Sequence, residues 1–211
     1  MERKIGIVVL LTIFMAAAAF ATSGWERMDR LPMPEALLNN GGVGNMVTGD
    51  LDEDGNPDLF VVNDNWNDGD TEVIPRIYKL EWDGSAWNQV WSAVAPVEYQ
   101  NTWPGLEITD LDGDGLQEIF WGPVNSTSIE PNPYRIVVYE ETAATGSDEY
   151  GVDNGDGYDP NAKWTIVDED NVNLRPTRFE IADIDDDGTN EVIFPDRKGQ
   201  DGGYFFMIVS V

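Results

Sequence analysis

The chain contains no cysteine and no histidine, and only 12 of its 211 residues are lysine or arginine. Without cysteine, no disulfide can cross-link the fold, so core packing, a bound metal or both must hold it together. The two absences also exclude Ser-His-Asp and Cys-His nucleophilic sites and zinc sites built from histidine and cysteine. The sequence therefore rules out several common kinds of enzyme.

The chain contains 40 aspartates and glutamates against 12 basic residues, which gives a formal net charge of −28. A chain this acidic repels nucleic-acid phosphates and anionic membrane surfaces, so we expect neither as a partner. Disorder does not fit, because 41% of the residues are hydrophobic and tryptophan occurs eight times. Adaptation to salt and cation binding are the remaining explanations, and the placement of the acids decides between them.

Residues 1–21 have the pattern of a signal peptide. A short charged start is followed by an uncharged apolar run from Ile5 to Ala21, and the run ends in the A-x-A pattern Ala19-Phe20-Ala21. We expect cleavage after Ala21, which leaves residues 22–211 as a secreted or cell-surface domain without membrane insertion. An uncleaved anchor is the alternative, but 17 residues lie at the bottom of the range that a spanning helix needs.

One acidic pattern, D-x-D-x-D-G-x-x-[D/E], occurs three times. It occupies residues 50–58 (the first loop), 110–118 (the second loop) and 183–191 (the third loop), and the copies start 60 and 73 residues apart. An alternating apolar run precedes each copy and a β-rich run follows it. Each unit therefore reads as strand, acidic loop, strand.

Further strands follow in the first two units. In the first unit, residues 76–82 and 86–91 flank an Asp83-Gly84 hairpin turn. In the second unit, strands at 134–139 and 163–167 are separated by a polar insertion from about Thr142 to Pro160. Four strands in a unit of about 60 residues predict an all-β fold built from β-propeller blades of four antiparallel strands.

The blades are expected at about 40–100, 101–172 and 173–211. The third is incomplete, because the chain stops after a third strand at 204–211. About three blades are therefore present, whereas propellers typically need four to eight. We expect the chain to be the N-terminal part of a longer protein, with ring closure by other copies as the alternative.

The spacing of the acids predicts calcium ligands. Carboxylates at loop positions 1, 3 and 5 can surround one ion, glycine at position 6 allows a sharp turn, and a carbonyl at position 7 and an acid at position 9 complete the shell. Solvated Asp-Gly turns are the alternative, but three copies in one register argue against them. We expect about three calcium ions, bound by Asp50, Asp52, Asp54, Asn56 and Asp58, by Asp110, Asp112, Asp114, Leu116 and Glu118, and by Asp183, Asp185, Asp187, Thr189 and Glu191.

An EF-hand begins with a similar pattern but requires glutamate at position 12 and a helix on each side. Position 12 is Val61, Trp121 and Phe194 here, each within a predicted strand. The EF-hand interpretation therefore fails.

The segments GDLDEDGNPDLFVV, TDLDGDGLQEIFWG and ADIDDDGTNEVIFP resemble the FG-GAP or VCBS repeat, which forms the calcium-loop blades of integrin-α-type propellers and of many secreted bacterial proteins. The resemblance covers about residues 40–211. It implies a calcium-stabilised propeller, in a family that includes adhesins, lyases and scaffolds.

Two functional hypotheses follow. The first is a non-enzymatic exported scaffold or adhesion module with structural calcium and an extracellular protein or glycan as partner. The alternative is the propeller part of a secreted carbohydrate-active enzyme such as a polysaccharide lyase, whose base would have to be lysine, arginine or tyrosine. No catalytic residue is predicted. The strand tryptophans are expected to pack between blades, and the acids of the insertion form either a solvated loop or a further ion site.

Overall fold

The computed structural model describes residues 30–39, 41–64, 74–97, 103–123, 134–143, 146–164, 176–196 and 205–210. The predicted signal peptide lies outside these residues. All strands belong to a compact unit that begins at Met33. Within the described part of the chain, no helix has the length and hydropathy needed to cross a membrane.

The first sheet contains four antiparallel strands in sequence order: β1 (Val43–Gly49), β2 (Asp58–Asn63), β3 (Arg76–Trp82) and β4 (Trp87–Val94). The predicted hairpin turn joins β3 to β4. There, Oδ1 of Asp83 accepts hydrogen bonds from the backbone N–H groups of Ser85 and Ala86, both at 2.8 Å. The first predicted unit is therefore a four-stranded sheet.

The second sheet begins with β5 (Gly105–Thr109), β6 (Glu118–Gly122) and β7 (Ile136–Glu140). The insertion then forms a short hairpin of β8 (Val152–Asp153) and β9 (Tyr158–Asp159), and β10 (Ala162–Trp164) returns to pair with β7. The strand predicted at 163–167 thus starts one residue earlier, and its last residues lie outside the described part of the chain.

The third sheet contains β11 (Glu180–Ala182), β12 (Glu191–Asp196) and β13 (Phe205–Ser210), again antiparallel and in sequence order. The fold is all-β, and its two four-stranded sheets and one three-stranded sheet are consistent with propeller blades. The described strands do not close into a ring.

Successive side chains of β6 belong to two different hydrophobic cores, because successive residues of a strand point to opposite faces of the sheet. Ile119 and Trp121 pack with Phe60 and Trp91 in a core shared by the first and second sheets. Phe120 lies on the other face, in a core shared with the third sheet. The three sheets therefore stack face to face, with the second sheet covered on both sides.

The insertion contributes to the first of these cores. Tyr150 is fully buried there, and its ring lies 5.5 Å from that of Trp91 and 5.4 Å from that of Phe60. Part of the insertion is therefore packed structure and not a solvated loop. The predicted burial of strand tryptophans holds for Trp91 and Trp121, whereas Trp103 and Trp164 are 48% and 42% exposed.

Candidate metal centres

Each acidic loop joins the first and second strands of its sheet. The glycine at position 6 (Gly55, Gly115 and Gly188) has φ of 93°, 92° and 90°. A side chain would strain the backbone in this left-handed region, which accounts for glycine at that position in every copy. The residue at position 4 also has positive φ in each loop (Glu53, Gly113 and Asp186). The three loops therefore share one backbone course.

The same hydrogen bonds recur in all three loops. The carboxylate at position 5 accepts the N–H of position 7, at 2.7 Å for Asp54 and 2.8 Å for Asp114 and Asp187. The carboxylate at position 3 accepts the N–H of position 5, and the carboxylate at position 1 accepts the N–H of the glycine. These bonds orient the carboxylates before any ion binds.

The acid at position 9 is the first residue of the second strand in each sheet and is buried. Asp58, Glu118 and Glu191 are 0%, 7% and 4% exposed. One carboxylate oxygen of each accepts the N–H of loop position 2, at 2.8, 2.5 and 3.0 Å respectively. The strand thus fixes this acid against the start of its own loop.

The second loop brings all four of its predicted acidic ligands together. One oxygen from each of Asp110, Asp112, Asp114 and Glu118 lies within 4.8 Å of the others. Calcium binds oxygens at about 2.3–2.6 Å, so two ligands of one ion lie at most about 5 Å apart. This carboxylate set therefore fits a calcium ion.

The third loop brings together Asp183, Asp185 and Glu191, but Asp187 is not part of that group. Asp187 nevertheless accepts the N–H of Thr189 at 2.8 Å, as the position 5 acids of the other loops do from position 7. The predicted carbonyl ligands at position 7 (Asn56, Leu116 and Thr189) stay predictions. The third and second loops touch, because Nδ2 of Asn190 donates to the carbonyl of Leu111 at 3.2 Å.

Crowded carboxylates perturb one another in the second loop. Burial, followed by the charges of Asp112, Asp110 and Asp114, raises the pKa of Glu118 to about 7. Among the described residues, the ion pairs that reach an acidic loop all involve Lys79 and the first loop. The second loop therefore concentrates negative charge that a divalent cation would neutralise.

The first loop has a different geometry. Asp50, Asp52 and Asp58 form one group of close carboxylates, and Asp52, Asp54 and Glu81 form another. The ammonium of Lys79 lies 2.7 Å from Oδ2 of Asp52 and 3.2 Å from Oδ1 of Asp58. The first loop thus already contacts a cation of the protein itself.

Lys79 and Glu81 lie against the carboxylates of the first loop, and Asp148 pairs with Lys79; none of the three was predicted at this loop. Glu81 lies directly opposite Asp58 in the β2–β3 pairing, and Lys79 lies opposite Phe60. An explicit register for β2 and β3 would have placed Glu81 and Lys79 beside the loop. Nothing in the local sequence points to Asp148.

Residues 50–121, about a third of the chain, match the family described as FG-GAP-like repeat. The matched segment starts at the first residue of the first loop and ends within β6, so it contains the first two loops. No curated protein matches the chain.

Proposed function

Since residues 50–121 carry an FG-GAP-like repeat, we propose that this protein is a calcium-binding module whose ions stabilise its sheets, and that it serves outside the cell as a scaffold or binding module. The observation that carries the proposal is the second loop. Its four carboxylates lie within 4.8 Å of one another, and no described basic side chain pairs with them.

The location of the loops supports a structural role for the ion. All predicted ligands of one loop lie within nine residues that connect two adjacent strands, and the position 9 acid belongs to the second of those strands. An ion bound there offsets the mutual repulsion of the carboxylates and holds the strand ends together. Such a device suits a chain that has no cysteine for disulfides.

The expected calcium affinity suits an extracellular location. Extracellular modules bind calcium with dissociation constants of about 10⁻⁴ to 10⁻³ M, which match a compartment rich in calcium. The predicted signal peptide supports the same location. An extracellular protein or a glycan is the proposed partner, and the exposed Trp164 offers an aromatic face of the kind on which sugars stack.

Thermal unfolding tests the calcium proposal. At about 10 mM calcium, a site with a dissociation constant of about 10⁻⁴ to 10⁻³ M adds about 1.4 to 2.7 kcal/mol to the unfolding free energy. In a chain of this size, each kcal/mol corresponds to a midpoint shift of about 2–4 °C. We expect circular dichroism to show a higher midpoint in calcium than in EGTA, and a smaller gain in equimolar magnesium. Equal midpoints in calcium and EGTA would contradict the proposal.

A further inference from the structure

Lys79 of β3 is buried, and its ammonium lies against the first loop. Its Nζ donates to Oδ2 of Asp52 at 2.7 Å and to Oδ1 of Asp148 at 2.9 Å, and lies 3.2 Å from Oδ1 of Asp58. The side chains of Lys79, Asp52 and Asp58 are 0%, 1% and 0% exposed. The ammonium therefore forms ion pairs with two carboxylates that were predicted to bind calcium.

The register of the sheets shows that this lysine is particular to the first loop. Lys79 pairs with Phe60, two residues after the position 9 acid. The equivalent residue is Val138 in the second sheet and Ile208 in the third. Because these residues are apolar, neither the second nor the third loop receives an ammonium from that position.

The surroundings of Lys79 hold its ammonium in place. Its Nζ faces three carboxylates, those of Asp52, Asp148 and Asp58, at 2.7, 2.9 and 3.2 Å. The rings of Phe60 and Tyr150 lie 5.9 and 5.8 Å from Nζ and add cation–π attraction. Ion pairs and two aromatic rings thus hold the ammonium of Lys79 against the first loop.

The carboxylates of Asp54 and Glu81, which form the second close group with Asp52, also accept hydrogen bonds. Nδ2 of Asn56 donates to Oδ2 of Asp54 at 2.7 Å and to Oε1 of Glu81 at 3.3 Å. The side chain at position 7 is leucine in the second loop and threonine in the third. Protein donors therefore reach both carboxylate groups of the first loop, although Oδ1 of Asp58 accepts no hydrogen bond and is contacted only through its ion pair with Lys79.

Lys79 also connects the first loop to the insertion. Asp148, which it contacts, belongs to the insertion, and the N–H of Gly146 donates to the carbonyl of Asp52 at 2.6 Å. Two residues beyond Asp148, Tyr150 is buried between the first and second sheets. The lysine thus links the first loop to the insertion, and within the loop it links Asp52 to Asp58.

We propose that Lys79 is the resident cation of the first loop, where its ammonium replaces calcium, shapes the loop and docks the insertion on it. This inference rests on the proposed function, in which the second and third loops bind calcium. It changes the expected number of calcium ions from three to two. It also makes the junction between the first loop and the insertion independent of calcium.

Calorimetric titration of the calcium-free protein tests this count, with a matched pair of variants. Asp54 and Asp114 both occupy position 5, both are exposed, and each accepts the backbone N–H of position 7, so alanine removes that bond in either loop. Asp54→Ala also removes the hydrogen bond from Nδ2 of Asn56. We expect two ions in the unaltered protein, at least tenfold weaker binding at one site in Asp114→Ala, and an unchanged titration in Asp54→Ala. Three ions, or weaker binding in Asp54→Ala, would overturn the inference but leave the proposed function intact. No binding at all would refute the proposed function itself.

Hydrogen exchange provides a second readout that needs no substitution. The Gly146 amide, which bonds to the first loop, is expected to exchange at the same rate in calcium and in EGTA, whereas the Gly115 and Gly188 amides exchange faster in EGTA. Faster exchange of Gly146 in EGTA would overturn the calcium independence of this junction.

Discussion

Replacing Lys79 with methionine removes the ammonium but keeps most of the length and the apolar stem of the side chain. The variant leaves the carboxylates of Asp52 and Asp58 buried without the cation that faces them. Asp148 loses the same partner, but its side chain is 41% exposed and can be solvated. The perturbation is therefore mainly the loss of one partner from a buried ion-pair network.

Removal of one partner from a buried ion pair costs about 3–5 kcal/mol, because the remaining charge stays desolvated. In a chain of this size, that cost lowers the unfolding midpoint by about 6–20 °C. The loss of charge also frees the first loop for calcium. A new site with a dissociation constant of about 10⁻⁴ to 10⁻³ M restores about 1.4 to 2.7 kcal/mol at about 10 mM calcium.

Circular dichroism melts in EGTA and in calcium check both effects, with Lys163→Met as the matched control. Lys163 is exposed and lies over the ring of Tyr134 at 4.8 Å, a contact worth about 0.5–1 kcal/mol. We expect the Lys79 variant to be much less stable than the control in EGTA and to gain more from calcium than the unaltered protein gains. If the Lys79 variant melts in EGTA within about 2 °C of the control, the stabilising role assigned to the ammonium is wrong.

Two further predictions concern the fold. Asn39→Ala removes a buried amide that donates to the hydroxyl of Tyr78 at 2.8 Å. Urea denaturation should show that the free energy of unfolding falls by about 1–3 kcal/mol, and a fall below about 0.5 kcal/mol would contradict this role. Gly151 and Gly155 share a φ of 87°, but an added Cβ at Gly151 would lie 2.7 Å from the ring of Tyr139, whereas at Gly155 it meets nothing within 4 Å. Gly151→Ala should therefore cost about 1–3 kcal/mol more than Gly155→Ala, and equal losses would refute the steric argument.

Local pattern was enough to predict the strands and the loops. The alternation of apolar residues predicted residues 76–82 as a strand with the bounds that the structure shows. The acid spacing predicted that carboxylates converge, and in the second loop all four do so. These features depend on contacts between residues close in the chain, which the order of residues dictates directly.

The insertion shows where local pattern was insufficient. Its acids and glycines suggested a solvated loop or an ion site, yet Tyr150 is fully buried in a core between two sheets. One aromatic residue in a polar segment carries no periodicity, so the sequence does not indicate which sheet receives it. Only the packing of the sheets reveals that position.

The sequence by itself determined three strand-loop-strand units and a common carboxylate arrangement, because the hydrogen bonds that recur in every loop join residues at most seven positions apart in the chain. The tertiary structure alone decided that these loops differ. Lys79 meets Asp148 across 69 residues, and it enters the first loop because the register of β2 and β3 places it there. Local spacing cannot encode such a contact, since it depends on how separate sheets pack together.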